Sequence, residues 1–346
     1  MRAAIVGVGF MGWIHYLAYQ RSKHAELAGF CSRDAAKRAG DWRGIQGNFG
    51  PPGDQIDVSG LSIHATLDEL LADSTIDLID ICLPPHLHGD AVAKSLAAGK
   101  WVLCEKPLAL TAKEAHSLVE MSQGKLLVAH ILPFFAEYQL LCEAVTSGRF
   151  GKALGGRFKR VIGPPSWIPD FYDPTRVGGP LVDLHVHDAH LMRMLWGMPH
   201  SVHSASRLHR EASNANSTGA AAVVPQYVES IFHFEDSDIV ASAVSGVIDQ
   251  PSRGFTHGFD VQFEKANIQF EMAAFSDGST AAIPLTIAHK DGTVERPTSN
   301  ASDSIDVFVD EIDAAARAVR TGVIHPALDA KIAADAITIC EMQLPK

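Results

Sequence analysis

Residues 3–12 read Ala3-Ala4-Ile5-Val6-Gly7-Val8-Gly9-Phe10-Met11-Gly12. Four apolar residues run straight into three glycines spaced G-x-G-x-x-G, and a helix-like stretch follows over 13–21. Glycine permits the tight turn and lets the backbone approach a pyrophosphate closely. The helix N-terminus beyond it offers N–H groups and positive potential. Alone the motif is weak. Placed directly between an apolar strand and a helix, it is a dinucleotide-binding fingerprint. Gly7, Gly9, Phe10, Met11 and Gly12 are therefore expected to contact a nicotinamide dinucleotide.

The alternation continues outward from this loop. Short apolar runs at 27–31, 76–83, 101–104 and 126–129 predict further strands. Helical patterns at 35–39, 67–72, 90–98 and 112–121 fall between them. Strand–helix alternation implies a parallel sheet with right-handed crossovers. Gly99 suits a helix end before the next strand. Residues 40–60 are rich in Gly, Pro and Asp and long for a connection inside a compact domain. They are expected to form a surface excursion, with a lid or an oligomer contact as the sharper reading.

After about residue 150 the texture changes. Runs at 153–162, 227–234, 239–247, 258–263 and 267–272 read as strands with few helices between them, which predicts a largely antiparallel sheet. A helix is expected over 179–195, a loop over 213–225, and closing helices over 303–321 and 327–342. The expected fold is α/β: an N-terminal Rossmann parallel sheet, then a C-terminal α+β domain with an open-faced sheet. The domains are expected at 1–130 and 131–346, with the closing helices free to pack back on the first.

The second strand, 27–31, should end in an acid that binds the ribose of NAD. Here the sequence is Cys31-Ser32-Arg33-Asp34. A hydroxyl and a guanidinium both suit a 2′-phosphate, so Ser32 and Arg33 lean towards NADP over NAD. Asp34 is an alternative ribose ligand, but it also reads as the N-cap of the helix starting at Ala35.

Two clusters carry the chemistry. Val102-Leu103-Cys104-Glu105-Lys106-Pro107 is a buried strand that stops abruptly and delivers a lysine to its C-terminal end, where ligands of open parallel sheets bind. A cis Lys106–Pro107 bond is expected there. About 80 residues on, Gly178-Gly179-Pro180 leads to Asp183, His185, His187 and His190. Four residues apart on a helix, Asp183 and His187 share a face. A carboxylate beside an imidazole makes a base able to take a hydroxyl proton near neutral pH. No cysteine or second carboxylate is spaced to complete a metal site with these histidines, so no metal is expected. His130 and the loop residues Trp167, Tyr172, Asp173 and Arg176 are further pocket candidates, since aromatic faces stack on sugar rings.

Bulk composition narrows the class. The 346 residues carry 29 Lys plus Arg against 40 Asp plus Glu, a net charge of −11. That disfavours nucleic acid and anionic membrane as partners. The five cysteines are scattered and fit core thiols in a reducing compartment. With no signal-peptide pattern and no apolar run of transmembrane length, a cytoplasmic protein is expected, and the glycosylation patterns at Asn216 and Asn300 would go unused.

Together Gly7–Gly12, Cys82-Leu83-Pro84-Pro85-His86-Leu87-His88, Glu105-Lys106-Pro107 and Gly178-Gly179 through Asp183 and His187 resemble the Gfo/Idh/MocA oxidoreductase family along nearly the whole chain. The resemblance implies hydride transfer between NAD or NADP and a sugar, polyol or related hydroxy compound. It implies that Lys106 contacts the substrate hydroxyl and cofactor ribose, that His187 is the general acid/base, and that Asp183 binds substrate and tunes it. It adds Leu83, Pro84, His88 and Glu105 to the expected cofactor contacts. It also implies a homodimer or homotetramer through the second-domain sheet. Pro180, His185, Pro85 and Pro133 depart from the family pattern, which bears on substrate more than on chemistry. Two other readings are a glycosidase working by transient oxidation and elimination, and a non-catalytic cofactor-binding regulator.

Overall fold

Ala3–Val6 has the apolar, β-branched character of a strand buried on both faces, and that is what it becomes. The computed structural model describes residues 1–165, 170–209, 224–235, 239–298 and 303–345. Trp167, residues 213–223 of the loop expected over 213–225, and the Asn216 and Asn300 patterns lie outside the described residues, while Val224 and Pro225 open a strand instead. In chain order the first elements are β1 (Arg2–Val6), α1 (Phe10–Arg21), β2 (Glu26–Cys31), α2 (Ala35–Arg38), β3 (Ser62–His64), α3 (Leu67–Leu71), β4 (Leu78–Ile81), α4 (His88–Ala97), β5 (Trp101–Glu105), α5 (Ala112–Met121) and β6 (Leu126–Ala129). They form a six-stranded parallel sheet of order β3-β2-β1-β4-β5-β6. That is the doubly wound order whose strand ends face a ligand crevice at the β1/β4 switch point.

Local chemistry explains the helix boundaries. Thr66 and Thr111 cap α3 and α5 by accepting the N–H of Glu69 and Glu114. Gly99, at φ +77°, follows the end of α4 as expected.

The 40–60 segment is largely exposed, as a surface excursion should be, but it is anchored in the core. Trp42 is fully buried, its ring 5.3 Å from Phe30, 5.1 Å from Tyr16 and 6.1 Å from Trp13, and its Nε1–H donates to the Lys37 carbonyl. Ile45 and Ile56 are buried too, and the Trp13 indole donates to the Pro51 carbonyl. A few large apolar residues spread among glycines are enough to make a loop part of the core.

The remaining elements are α6 (Ala136–Ser147), β7 (Ala153–Ile162), α7 (Val186–Trp196), β8 (Ser201–His209), β9 (Val224–His233), β10 (Val240–Val247), β11 (Arg253–Phe263), β12 (Ala266–Phe275), β13 (Thr280–His289), β14 (Val294–Glu295), α8 (Ser304–Thr321) and α9 (Ala330–Glu341). The eight strands form one sheet of order β14-β13-β12-β11-β7-β10-β9-β8, antiparallel except for the β7–β10 pair. Along β9, Val228, Ser230 and Phe232 are buried while Glu229, Ile231 and His233 are exposed, the alternation of a sheet with one open face.

By contacts the chain divides into Met1–Phe135 with Ala301–Ala334, and Ala136–Asn300 with Asp335–Lys346. In the first unit α8 packs on α1, and Arg21 bridges to Asp303 and Asp306. No helix among the described residues is long and apolar enough to cross a membrane.

Candidate functional site

The glycine loop of the first unit fits a pyrophosphate. Gly7 sits at φ +101°, and a Cβ there would lie 2.8 Å from the Cys82 carbonyl oxygen. A Cβ on Gly12 would lie 2.2 Å from the Gly7 carbonyl oxygen. Gly9 differs: a Cβ there would meet nothing within 4 Å. Its Cα faces open space at the N-cap of α1, where first-turn N–H groups have no intrahelical acceptor and no acid stands in the first turn. The loop is closed by packing on two sides and open where an anion is wanted.

At the end of β2, Ser32 is buried and Arg33 exposed. Asp34 spends its carboxylate on α2, accepting the N–H of Ala36 at 2.8 Å and of Lys37 at 3.3 Å. Two cations overlooked in the sequence gather beside it. Arg38 donates to the Ser32 and Arg33 carbonyls, both at 2.8 Å, and Lys37 donates to the Val8 carbonyl.

Leu83 and Pro84 follow β4 at the strand end, partly buried and exposed respectively. His88, expected near the nicotinamide, is fully buried, with Nδ1 2.8 Å from the Pro107 carbonyl and Nε2 2.7 Å from the Leu83 carbonyl. Burial lowers its basicity while the two carbonyls raise it. Its ring braces the β4 end against the β5 end. The Lys106–Pro107 peptide is cis, as expected, and Lys106 is half-buried.

Glu105 closes β5. Its carboxylate turns inward: Oε2 accepts the Lys106 backbone N–H at 3.1 Å, and Oε1 lies 3.0 Å from His15 Nε2. Both carboxylate oxygens are thus engaged within the protein. His15 Nδ1 lies 2.8 Å from Asp80 Oδ2, which also accepts the Tyr19 hydroxyl at 3.0 Å. His15, Asp80 and Cys82 place ligand-type atoms within 4.8 Å of one another. Burial, reinforced by Asp80, pushes the Cys82 thiol well up, and it donates to Asp80. Both His15 nitrogens already face carboxylates, so the donor set reads as a hydrogen-bond cluster rather than a cation cage. His130, just beyond β6, is buried.

In the second unit the expected helix begins one turn differently. Leu181–His185 is a π-helical turn that leads into α7. Such turns recur at functional sites because they re-aim side chains. Gly178 (φ +81°) and Gly179 (φ +71°) bring the chain into it. Across 181–192, only Asp183 and His187 are not buried. His185 and His190 face inward, where burial pulls them down to about 4 and about 3.

Asp188, next to His187, anchors α7. Arg160 on β7 grips it with Nε and Nη2, both at 3.1 Å, and both side chains are almost fully buried. Nearby, the Tyr138 hydroxyl pairs with His257 Nδ1 at 2.7 Å.

The loop candidates are tied up locally. Tyr172 stacks on His209 at 3.7 Å, Asp173 accepts the N–H and hydroxyl of Thr175, and Arg176 pairs with Asp170 at 3.1 Å. Sequence reasoning missed His15, Asp80, Arg160 and Asp188. A lone acid inside the apolar run Ile79-Asp80-Ile81 is a readable signal, because a buried carboxylate needs a partner.

Known proteins resemble this chain in sequence and in fold. Residues 1–131 match the family described as an oxidoreductase family with an NAD-binding Rossmann fold, and residues 138–269 match the GFO/IDH/MocA C-terminal domain. The chain is 30% identical over 212 residues to an uncharacterised oxidoreductase of Schizosaccharomyces pombe, spanning 58% of this chain and about half (53%) of that protein. It is 23% identical over 329 residues to inositol 2-dehydrogenase of Rhizobium meliloti, covering 93% of this chain and 89% of the relative. The structure of a levoglucosan dehydrogenase complexed with NADH and levoglucosan superposes with a TM-score of 0.76 at 19% identity, covering 99% of this chain and 96% of that one. With both of its units matched in order, the chain belongs to the Gfo/Idh/MocA oxidoreductase family.

Proposed function

We propose that this chain is a nicotinamide-dependent dehydrogenase of a sugar, polyol or related hydroxy compound. The observation that carries the reading is the selective partial exposure of Asp183 and His187 in a segment whose other residues, from 181 to 192, are all buried. Leaving a carboxylate and an imidazole together within partial reach of solvent serves a solute that gives up a proton better than it serves packing. His187 takes the proton of the substrate hydroxyl. Asp183, one helical turn earlier, orients that imidazole. Lys106 donates to the substrate oxygen and stabilises the charge that develops there. The nicotinamide, when bound, supplies the hydride acceptor. Gly7, Gly9 and Gly12 with the start of α1 hold its pyrophosphate.

NADP is the preferred nucleotide in this reading. Asp34 is committed to capping α2, and Arg33 stands exposed beside Ser32 with Lys37 and Arg38 close by. The relatives' substrates favour sugars and polyols: one is named inositol 2-dehydrogenase, another 1,5-anhydro-D-fructose reductase. Exposed Ile231 and Ile283 and the Lys159–Glu271 pair support homo-oligomerisation through the second sheet. Free cysteines suit a reducing compartment such as the cytoplasm.

The test is a panel of sugars, polyols and sugar acids assayed with NAD and NADP side by side, with dissociation constants for NADH and NADPH. Reduction of nucleotide by a polyhydroxy compound is expected. Binding without turnover across the panel would revive the regulator reading, release of free sugar from an aryl glycoside the glycosidase reading. NADH bound ten-fold tighter than NADPH would end the NADP preference.

A further inference from the structure

Behind the strand that delivers Lys106 lies a buried ionisable cluster that the hydride-transfer reading does not use. His15 comes from α1, Asp80 and Cys82 from β4 and its end, Glu105 from β5 and Glu311 from α8. His15, Asp80 and Glu311 are 0% exposed and Glu105 7%. His15 Nδ1 lies 2.8 Å from Asp80 and Nε2 3.0 Å from Glu105. A neutral imidazole has one N–H and one lone pair, while an ionised carboxylate only accepts. Two carboxylate contacts therefore ask the ring to carry both protons.

We propose that His15 is a positioning residue for Lys106: as an imidazolium clamped between Asp80 and Glu105, it fixes the carboxylate that holds the Lys106 backbone N–H. The inference rests on the reading of Lys106 as the group that meets substrate. The chain of contacts is short. His15 holds Glu105 Oε1, Glu105 Oε2 accepts the Lys106 N–H at 3.1 Å, and that amide begins the turn presenting the lysine.

The surroundings support a charged ring. Burial works against it, but Asp80, with Cys82 and their hydrogen bonds, outweighs burial and holds His15 well above its ordinary range. The Tyr19 hydroxyl steadies Asp80 from the next turn of α1. Burial, with Asp80 and Glu105 reinforcing it, keeps Cys104 protonated. Against the pull of His15, Glu311 is pushed well above its ordinary range by burial and by Glu105 and Asp80, which favours its neutral form. Its two carboxyl oxygens have no hydrogen-bond partner. From α8 the ring of Phe308 closes the cluster, 6.0 Å from His15. Two carboxylates and one imidazolium leave a single negative charge, one residue before the lysine's positive one. A desolvated, paired network of this kind favours one arrangement over its neighbours.

The test uses the full chain with His15→Phe, His15→Gln and Glu105→Gln. In the wild type, ring nitrogen NMR is expected to show His15 protonated on both nitrogens at neutral pH; a neutral ring overturns the proposal. In His15→Phe, exchange of the Lys106 amide is expected to accelerate at least ten-fold beyond the change at β6. Turnover should fall about ten-fold or more with NAD and NADP affinity within two-fold, and His15→Gln, which keeps one donor, should recover part of both. Unchanged Lys106 exchange in a folded His15→Phe overturns the clamp. If that variant fails to fold, Glu105→Gln, which keeps shape and loses charge, decides on the same readings. Exchange and NMR need no substrate. Should both respond while the wild type turns over nothing, the clamp stands and the role of Lys106 in hydride transfer falls.

Discussion

Replacing Asp188 by alanine tests how α7 is held. Arg160 and Asp188 are 4% and 1% exposed at their side chains and joined by two hydrogen bonds of 3.1 Å. Removing the carboxylate leaves a guanidinium buried among Tyr138, His257 and Phe255, none of which carries a compensating negative charge. Breaking one side of a buried pair costs about 3–5 kcal/mol, most of it the penalty of the stranded charge. For a unit of this size each kcal/mol lowers the melting temperature by about 2–4 °C, so Asp188→Ala should melt roughly 6–20 °C below wild type. The pair itself is worth far less. Taking both charges out as Arg160→Met with Asp188→Leu should return the unit to within about 2 kcal/mol of wild type, or above it. Differential scanning calorimetry of the three variants reads both statements. A single variant that melts within 2 °C of wild type, or a double variant as damaged as the single, refutes the reasoning.

His187→Ala should lower turnover by about two to four orders of magnitude while leaving nucleotide affinity within about three-fold, read by initial rates and fluorescence titration. Gly9→Ala has room for its methyl group, so it should melt within about 2 °C of wild type yet bind nucleotide about ten-fold more weakly, whereas Gly12→Ala, driven against the Gly7 carbonyl, should fold poorly. Trp42→Ala should cost about 3–5 kcal/mol in denaturant titration, because the indole is fully buried among Trp13, Tyr16 and Phe30. Burial holds His185, His190 and His257 down at about 4, 3 and 3 in the fold. The unfolded chain takes up those protons near pH 6.5. Stability should therefore be full above that pH and fall towards pH 4, by up to about 1.4 kcal/mol per pH unit for each ring. His15, held up, carries the opposite sign and acts only on the alkaline side. A melting temperature flat between pH 7 and 4.5 would contradict this.

What the sequence disclosed and what it hid follow from the range of the interactions. Gly7 through Gly12 is legible because the turn, the strand before it and the helix after it are set by residues a few positions apart. Asp183 and His187 are legible for the same reason, although the π-helical turn at Leu181–His185 is not, since it depends on what α7 packs against. β8 and β13 passed unseen: Ser201–His209 is mostly polar or half-exposed, and Thr280–His289 contains Pro284 and an exposed first half. The burial of Trp42 needs residues 12 to 29 positions away. The His15 cluster joins positions 65 and 90 residues apart, and only the fold brings them together. The inward turn of the Glu105 carboxylate is hidden for the same reason, because its partner His15 lies 90 residues away.

The most direct measurement follows a carbon-bound deuterium. A sugar or polyol labelled at its oxidisable carbons is incubated with the chain and NAD or NADP, and the nucleotide is examined by mass spectrometry. Deuterium in the reduced nucleotide is expected for wild type, with the yield lost in His187→Ala and in Lys106→Met. Nucleotide that binds but stays unlabelled across the panel would contradict hydride transfer as the function of this chain.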